Sequence, residues 1–194
     1  MKLRLGVLGS GKGSNFRAIM GAIREGVLQA EVRVVISDVE EAGILKSAKE
    51  FGVPWRYVRP GRFRTKLEPE IEQELVQILR DADVDLVVLA GFMRVLKQVM
   101  LDAFAGRIIN IHPSLLPKFP GLEAWTQALN AQETVTGCTV HYVDAGVDTG
   151  PILAQRTVPI LPDDTPGRLH ARIQAAEHAL LPAVIAEIAH ERRR

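Results

Sequence analysis

Little in this sequence is extreme, and each shortage removes a class of answer. A single cysteine, Cys138, rules out an intrachain disulfide framework and suits a reducing compartment. Lysine and arginine number 24 against 23 aspartates and glutamates, a formal net charge of +1. No global field therefore draws the chain to nucleic acid or to an anionic membrane. No stretch approaches the roughly 20 apolar residues that a membrane helix requires, and the apolar run after Met1 is too short for a secretory signal. Internal repeats, low-complexity segments and linker-like shifts in composition are missing too. What remains is 194 residues, 47% hydrophobic and 24% charged, the profile expected of a cytoplasmic chain folded as one α/β domain over residues 1–194.

Residues 3–8 read as a short apolar strand that runs into Gly9-Ser10-Gly11-Lys12-Gly13-Ser14-Asn15, after which Phe16 begins a helical pattern. A strand, a glycine-rich loop and a helix N-terminus form the arrangement that binds phosphate. The P-loop pattern starting at Gly6 fails at Gly13, where magnesium needs a hydroxyl. The dinucleotide fingerprint starting at Gly9 fails at Ser14. A plain phosphate monoester held by Gly13, Ser14 and Asn15 is expected instead; the bland alternative is a tight turn capped by Ser14.

Further strands are expected at 31–37, 53–58 and 84–90, and helices at 41–51 and 68–82, the former stopped by Gly52. Residues 84–90 are nearly continuously apolar, as in a parallel strand buried on both faces, and lead into the loop Gly91-Phe92-Met93-Arg94-Val95-Leu96. Arg62, Arg64 and Lys66 form a basic cluster that is either solvated or faces an anionic ligand. After a short helix at 122–131, strands at 134–143 and 152–158 should pair antiparallel across a short connection. A closing helix starts at Pro166, with Pro182 expected to kink it and the tail from Glu191 to Arg194 expected to fray. Repeated β-loop-α units predict a doubly wound, mostly parallel sheet with an antiparallel pair toward the C-terminal half.

The most informative stretch is a strand at 107–111 containing Asn110, followed by His112 and a loop stiffened by Pro113, Pro117 and Pro120. Ligands of open α/β sheets bind beyond the carboxyl ends of the strands. An amide and an imidazole on stiff backbone there suit a reaction that develops an oxyanion. Either residue alone could equally be a hydrogen-bonded structural group. A zinc set drawn from His112, Cys138, His141 and Asp148 matches no familiar ligand spacing, so no metal is expected.

Asn110-Ile111-His112-Pro113-Ser114-Leu115-Leu116-Pro117, with Asp148-Thr149-Gly150-Pro151 downstream, resembles the signature of the folate-dependent formyltransferases. The loop at 9–15 is similar to the phosphate loop of members acting on glycinamide ribonucleotide, and residues 89–94 to their folate-side loop; the likeness runs from Leu5 to about Pro182. The resemblance implies a Rossmann-like fold and transfer of a formyl group from 10-formyltetrahydrofolate to glycinamide ribonucleotide in purine synthesis. Folate is then the co-substrate, no metal is involved, and the partners are small molecules rather than nucleic acid or membrane, in a monomer or homodimer. It further implies that Asn110, His112 and Asp148 are catalytic, and that Gly13, Ser14 and Asn15 hold the phosphate, with Gln174 and Glu177 near phosphate and ribose. Met93, Arg94, Val95, Leu96, Val143 and Asp144 would hold the folate, with Arg64 or Lys66 at its tail. The N-terminal half would thus bind phosphate and the C-terminal half carry catalysis and folate. Asp148 beside His112 is expected to raise the ring's pKa.

Hydrolysis of the same donor is the alternative within the family, and a non-catalytic binding module the alternative outside it. The phosphate loop speaks against the first and the intact trio against the second. Binding of tRNA is disfavoured by the near-neutral charge and by the lack of a further domain. Three positions depart from the family pattern: Glu68 stands near a tail-binding arginine, Glu123 where a histidine is common, and Trp125 near a usually polar position.

Overall fold

The computed structural model describes residues 2–192. The chain order is β1 (Leu3–Leu8), α1 (Ser14–Arg24), β2 (Ala30–Ser37), α2 (Gly43–Phe51), β3 (Trp55–Tyr57), α3 (Pro69–Asp81), β4 (Leu86–Leu89), α4 (Gln98–Ala103), β5 (Ile108–His112), α5 (Ala124–Asn130), β6 (Val135–Tyr142), β7 (Ile152–Pro159) and α6 (Pro166–Glu191). The strands form one seven-stranded sheet in the order β3-β2-β1-β4-β5-β6-β7. Strands β1 to β5 run parallel, while β6 is antiparallel to both neighbours.

Side-chain alternation divides the core into two layers. Leu5, Val7, Val35, Leu86, Val88, Ile109 and Ile111 face one side, where α1, α2 and α6 supply Phe16, Ile19, Ile44, Ile173 and Ile185. Leu8, Val34, Ile36, Val87, Leu89 and Ile108 face the other, covered by Ile71, Leu75 and Leu79 of α3 and Met100 of α4. The central strand β4 is buried throughout, as its apolar run predicts.

Two expectations change. The strand at 107–111 shifts by one residue, so His112 closes β5 opposite Thr139 instead of opening the loop. The strand at 53–58 shrinks to three residues. Helix α6 runs as one 26-residue helix with Pro182 inside it, where Leu181, Pro182, Val184 and Ile185 are all buried. Of the expected frayed tail, Glu191 ends α6, while Arg193 and Arg194 lie outside the described residues. Among the described residues no helix is long and apolar enough to cross a membrane.

Candidate active site

Strand order reverses between β1 and β4, which opens a crevice at their carboxyl ends. The glycine-rich loop lines it. The Ser10 amide donates to the Gly91 carbonyl at 2.9 Å, and a Cβ at Gly9 would stand 2.8 Å from the Ala90 carbonyl oxygen, so only glycine allows this approach. Gly13 is the N-cap of α1, with a φ of 81° and no side-chain cap. Ser14 is the first helical residue and its hydroxyl bonds to no described residue, so it does not cap the turn. The first-turn amides of α1 therefore stay open at the positive end of the helix.

Asn15 ties this loop to the far end of the chain. Its Nδ2 donates to Glu177 Oε2 at 2.9 Å, while its Oδ1 is buried without a partner. Gln174, half-buried, lies three residues before Glu177 on α6. Glu177 is 5% exposed, and burial, only partly offset by the Asn15 bond, pushes its carboxyl up to about 7. A carboxyl raised in the folded state stabilises the fold below its unfolded pKa, and that stability is lost as pH rises through about 7. Glu177→Gln is expected to be more stable than wild type at pH 8, with an advantage about 2–3 kcal/mol larger than at pH 5. Urea denaturation at the two pH values measures it.

Asp148 is the centre of the second cluster. Its backbone is left-handed, with a φ of 56°, and its side chain is 12% exposed. Oδ2 accepts from the Gly121 amide at 2.8 Å and lies 3.3 Å from His112 Nδ1. Oδ1 accepts from Asn110 Nδ2 at 3.4 Å. His112 Nε2 donates to the Phe119 carbonyl at 2.8 Å, so its tautomer is set and only Nδ1 is left to take a second proton toward Asp148. Burial lowers the His112 pKa and outweighs the upward pull of Asp148 and Phe119; the ring is not held charged, contrary to the sequence-based expectation. Burial alone would raise the Asp148 pKa, but contacts with His141, His112 and the Gly121 amide bring it below the ordinary carboxylate value.

His141 is the residue that sequence reasoning missed, having weighed it only as a zinc ligand. It stands opposite Asn110 in the β5–β6 register. Its Nδ1 donates to the Tyr142 carbonyl at 2.8 Å, which leaves Nε2 to accept from Asn110 Nδ2 at 3.2 Å, 3.6 Å from Asp148 Oδ1. The antiparallel pairing of two polar residues is its only sequence signal, and that signal needs the register. The loop after His112 is held by Thr139, which donates to the Ser114 carbonyl at 2.6 Å and accepts from the Leu116 amide at 3.1 Å. Cys138 lies in the core, where burial pushes its thiol up to about 12. Among the described residues no group of three or more histidine, cysteine or acidic side chains is arranged to hold a metal ion.

The loop after β4 adjoins the first cluster. The Met93 amide donates to Ser10 Oγ at 3.0 Å, and the Val95 amide to the Thr65 carbonyl at 2.9 Å. Arg94 is committed to the protein: Nε donates to Asp38 Oδ2 at 2.7 Å and Nη1 to the carbonyls of Phe63 and Arg64. Ser10 Oγ donates in turn to Asp38 Oδ1 at 2.5 Å. A buried carboxylate, 3% exposed, thus joins the glycine-rich loop to the loop after β4. Removing one partner of a buried pair leaves the other charge uncompensated, so Asp38→Ala should lower stability by about 3–5 kcal/mol; thermal melts check this. The backbone of Leu96 bonds to no described residue. Val143 is tied by its amide to the Ile108 carbonyl, and the Asp144 carboxylate is occupied by the Gly146 amide and the Thr149 hydroxyl. Arg64, exposed, has no side-chain partner among the described residues.

Residues 3–185 match the formyl transferase family. The chain belongs to that family. It is 40% identical to the phosphoribosylglycinamide formyltransferase of Bacillus subtilis, over 95% of this chain and 94% of that protein. It is 47% identical to the trifunctional purine biosynthetic protein adenosine-3 of Drosophila pseudoobscura pseudoobscura, over 96% of this chain but only 14% of that protein. The crystal structure of glycinamide ribonucleotide transformylase 1 from Symbiobacterium toebii superposes with a TM-score of 0.94 at 46% identity, covering 98% of this chain and 89% of that one. Among the departures from the family pattern, Glu68 holds Arg62 in an ion pair of 2.5 Å, Glu123 is the left-handed N-cap of α5, and Trp125 packs on α6 through His170.

Proposed function

We propose that this formyl transferase moves the formyl group of 10-formyltetrahydrofolate onto the amine of glycinamide ribonucleotide, yielding formylglycinamide ribonucleotide and tetrahydrofolate for purine synthesis. The observation that carries the reading is a pair of groups at the carboxyl ends of the neighbouring parallel strands β1, β4 and β5: open amides at Gly13, Ser14 and Asn15, and an Asp148 cluster with Asn110 and His112. Bound there, the donor supplies the electrophilic formyl carbon. The phosphate at the helix end positions the acceptor amine, converting binding energy into orientation. Gln174 and Glu177 face the ribose side, and the backbone around Met93 to Leu96 and at Val143 and Asp144 cradles the pterin, with Arg64 toward the folate tail.

Asp148 is the base. It takes the proton that the attacking amine must lose and shares it with His112 Nδ1. Because His112 Nε2 keeps its own proton on the Phe119 carbonyl, that transfer makes the ring a cation only when negative charge has formed nearby, where it stabilises the oxyanion together with the Asn110 hydrogen that leaves its long contact with Asp148 Oδ1. The folate nitrogen that leaves receives the proton. His141 holds Asn110 in place for this step.

We also take residues 1–194 as one domain whose N-terminal half holds phosphate and whose C-terminal half carries catalysis and folate. It acts in the cytoplasm on small molecules, as a monomer or homodimer, without metal, membrane or nucleic acid. The near-zero net charge and the single cysteine support this.

The direct test mixes purified protein with a 10-formylfolate donor, with and without glycinamide ribonucleotide, and follows the deformylated folate spectroscopically. Signal that requires the ribonucleotide supports the transferase. Signal without it would identify a hydrolase, and silence from folded protein would leave a binding module. Ser14→Ala combined with Asn15→Ala should raise KM for the ribonucleotide by about tenfold or more while kcat changes little.

A further inference from the structure

Trp125 departs from the family pattern, and its neighbour gives it a purpose. Its ring stacks on the imidazole of His170 with centroids 3.7 Å apart and planes 10° from parallel. Both residues are half-buried, on α5 and α6. Neither ring nitrogen of His170 bonds to a described residue, so the stack fixes the plane of the ring and leaves its polar edge unused.

His170, Gln174 and Glu177 are spaced as i, i+4 and i+7 on α6, along one helix face. The Glu177 end of that stripe bonds to Asn15 of the glycine-rich loop. The Asn15–Glu177 bond lays this face of the helix along the glycine-rich loop; consistent with that placement, burial and, after it, the charge of Lys12 lower the His170 pKa. Lys12 is exposed and has no ion-pair partner among the described residues. Its backbone packs so closely on Gly43 that a Cβ there would lie 2.9 Å from Lys12 Cα. The base of the lysine is therefore fixed and its ammonium is free.

We propose that His170 and Lys12 form the outer wall of the acceptor's phosphate site, with Trp125 as the flat support that orients the imidazole. The ligand is a phosphate monoester dianion. This rests on reading the loop at 9–15 as the acceptor phosphate site. The open amides of α1 supply only about half a positive charge, and a dianion needs more than that to be held. A lysine contributes a point charge and an imidazole N–H a directed bond, each charge-assisted by phosphate. Two donors on separate elements gain a common partner when the dianion sits between them.

The test compares glycinamide ribonucleotide with its phosphate-free riboside as acceptors for the intact chain. Lys12→Ala and His170→Ala should each raise KM for the ribonucleotide by about tenfold, leaving kcat, the donor KM and the KM for the riboside unchanged. His170→Phe keeps an aromatic stack on Trp125 and removes only the nitrogens, so it should lose as much as His170→Ala. A wild-type ribonucleotide KM in Lys12→Ala and His170→Phe, or an equal loss with both acceptors, would overturn the proposal. Wild-type protein that fails to prefer the phosphorylated acceptor would instead bring down the underlying reading of the loop. A preference undiminished from wild type in both variants would bring down only the role of His170 and Lys12.

Discussion

Asp148→Asn is expected to lower kcat by roughly 10²–10⁴-fold, the range of a lost general base, with KM for glycinamide ribonucleotide within about twofold of wild type. Asparagine suits the position sterically, since it tolerates the left-handed backbone that residue 148 adopts. Its carbonyl can still accept from the Gly121 amide, as Oδ2 does now. What changes is the other face. An amide nitrogen would meet Asn110 Nδ2, donor against donor, where Oδ1 now accepts, and no group would remain to draw a proton from the amine or share one with His112 Nδ1. Steady-state kinetics at saturating folate donor separate the two parameters. A variant with wild-type kcat would remove Asp148 from the chemistry.

Gly150→Ala should cost nearly as much activity, about 10²-fold or more in kcat, although residue 150 touches no reacting group. A Cβ at Gly150 would collide with the backbone carbonyl of Tyr142. That carbonyl cannot retreat: Tyr142 closes β6, its amide donates to the Pro151 carbonyl at 2.9 Å, and its own oxygen accepts from His141 Nδ1. The loop at 143–151 must open instead, carrying Asp148 away from His112 and Gly121. Overpacking of this kind also destabilises by about 1–3 kcal/mol. Circular dichroism melts and kinetics on one preparation would show a folded, slightly weakened protein with little turnover. Full activity would mean that the glycine of this motif does not set the position of Asp148.

What was legible in the sequence was local. The strand, glycine-rich loop and helix at 3–20, the apolar run at 84–90 and the proline-stiffened loop after His112 follow from periodicity and turn chemistry within a few residues, because neighbours along the chain settle them. Asn110, His112 and Asp148 could be named from motifs spanning only a few positions each. The remaining features belong to tertiary structure. His141 reaches Asn110 only through the antiparallel register of β5 and β6. Glu177 reaches Asn15 across 162 residues, and Asp38 joins two loops that no spacing connects. The state of His112 shows the same division: a nearby carboxylate suggests a charged ring, but how deeply the ring is buried decides the sign, and burial depends on elements the local sequence does not contain. By itself the sequence determined which chemistry-bearing side chains stand on which kinds of element. Which of them meet, which are already occupied by the protein and which carry charge was decided by the packing of those elements, since contact and desolvation depend on distance in space rather than along the chain.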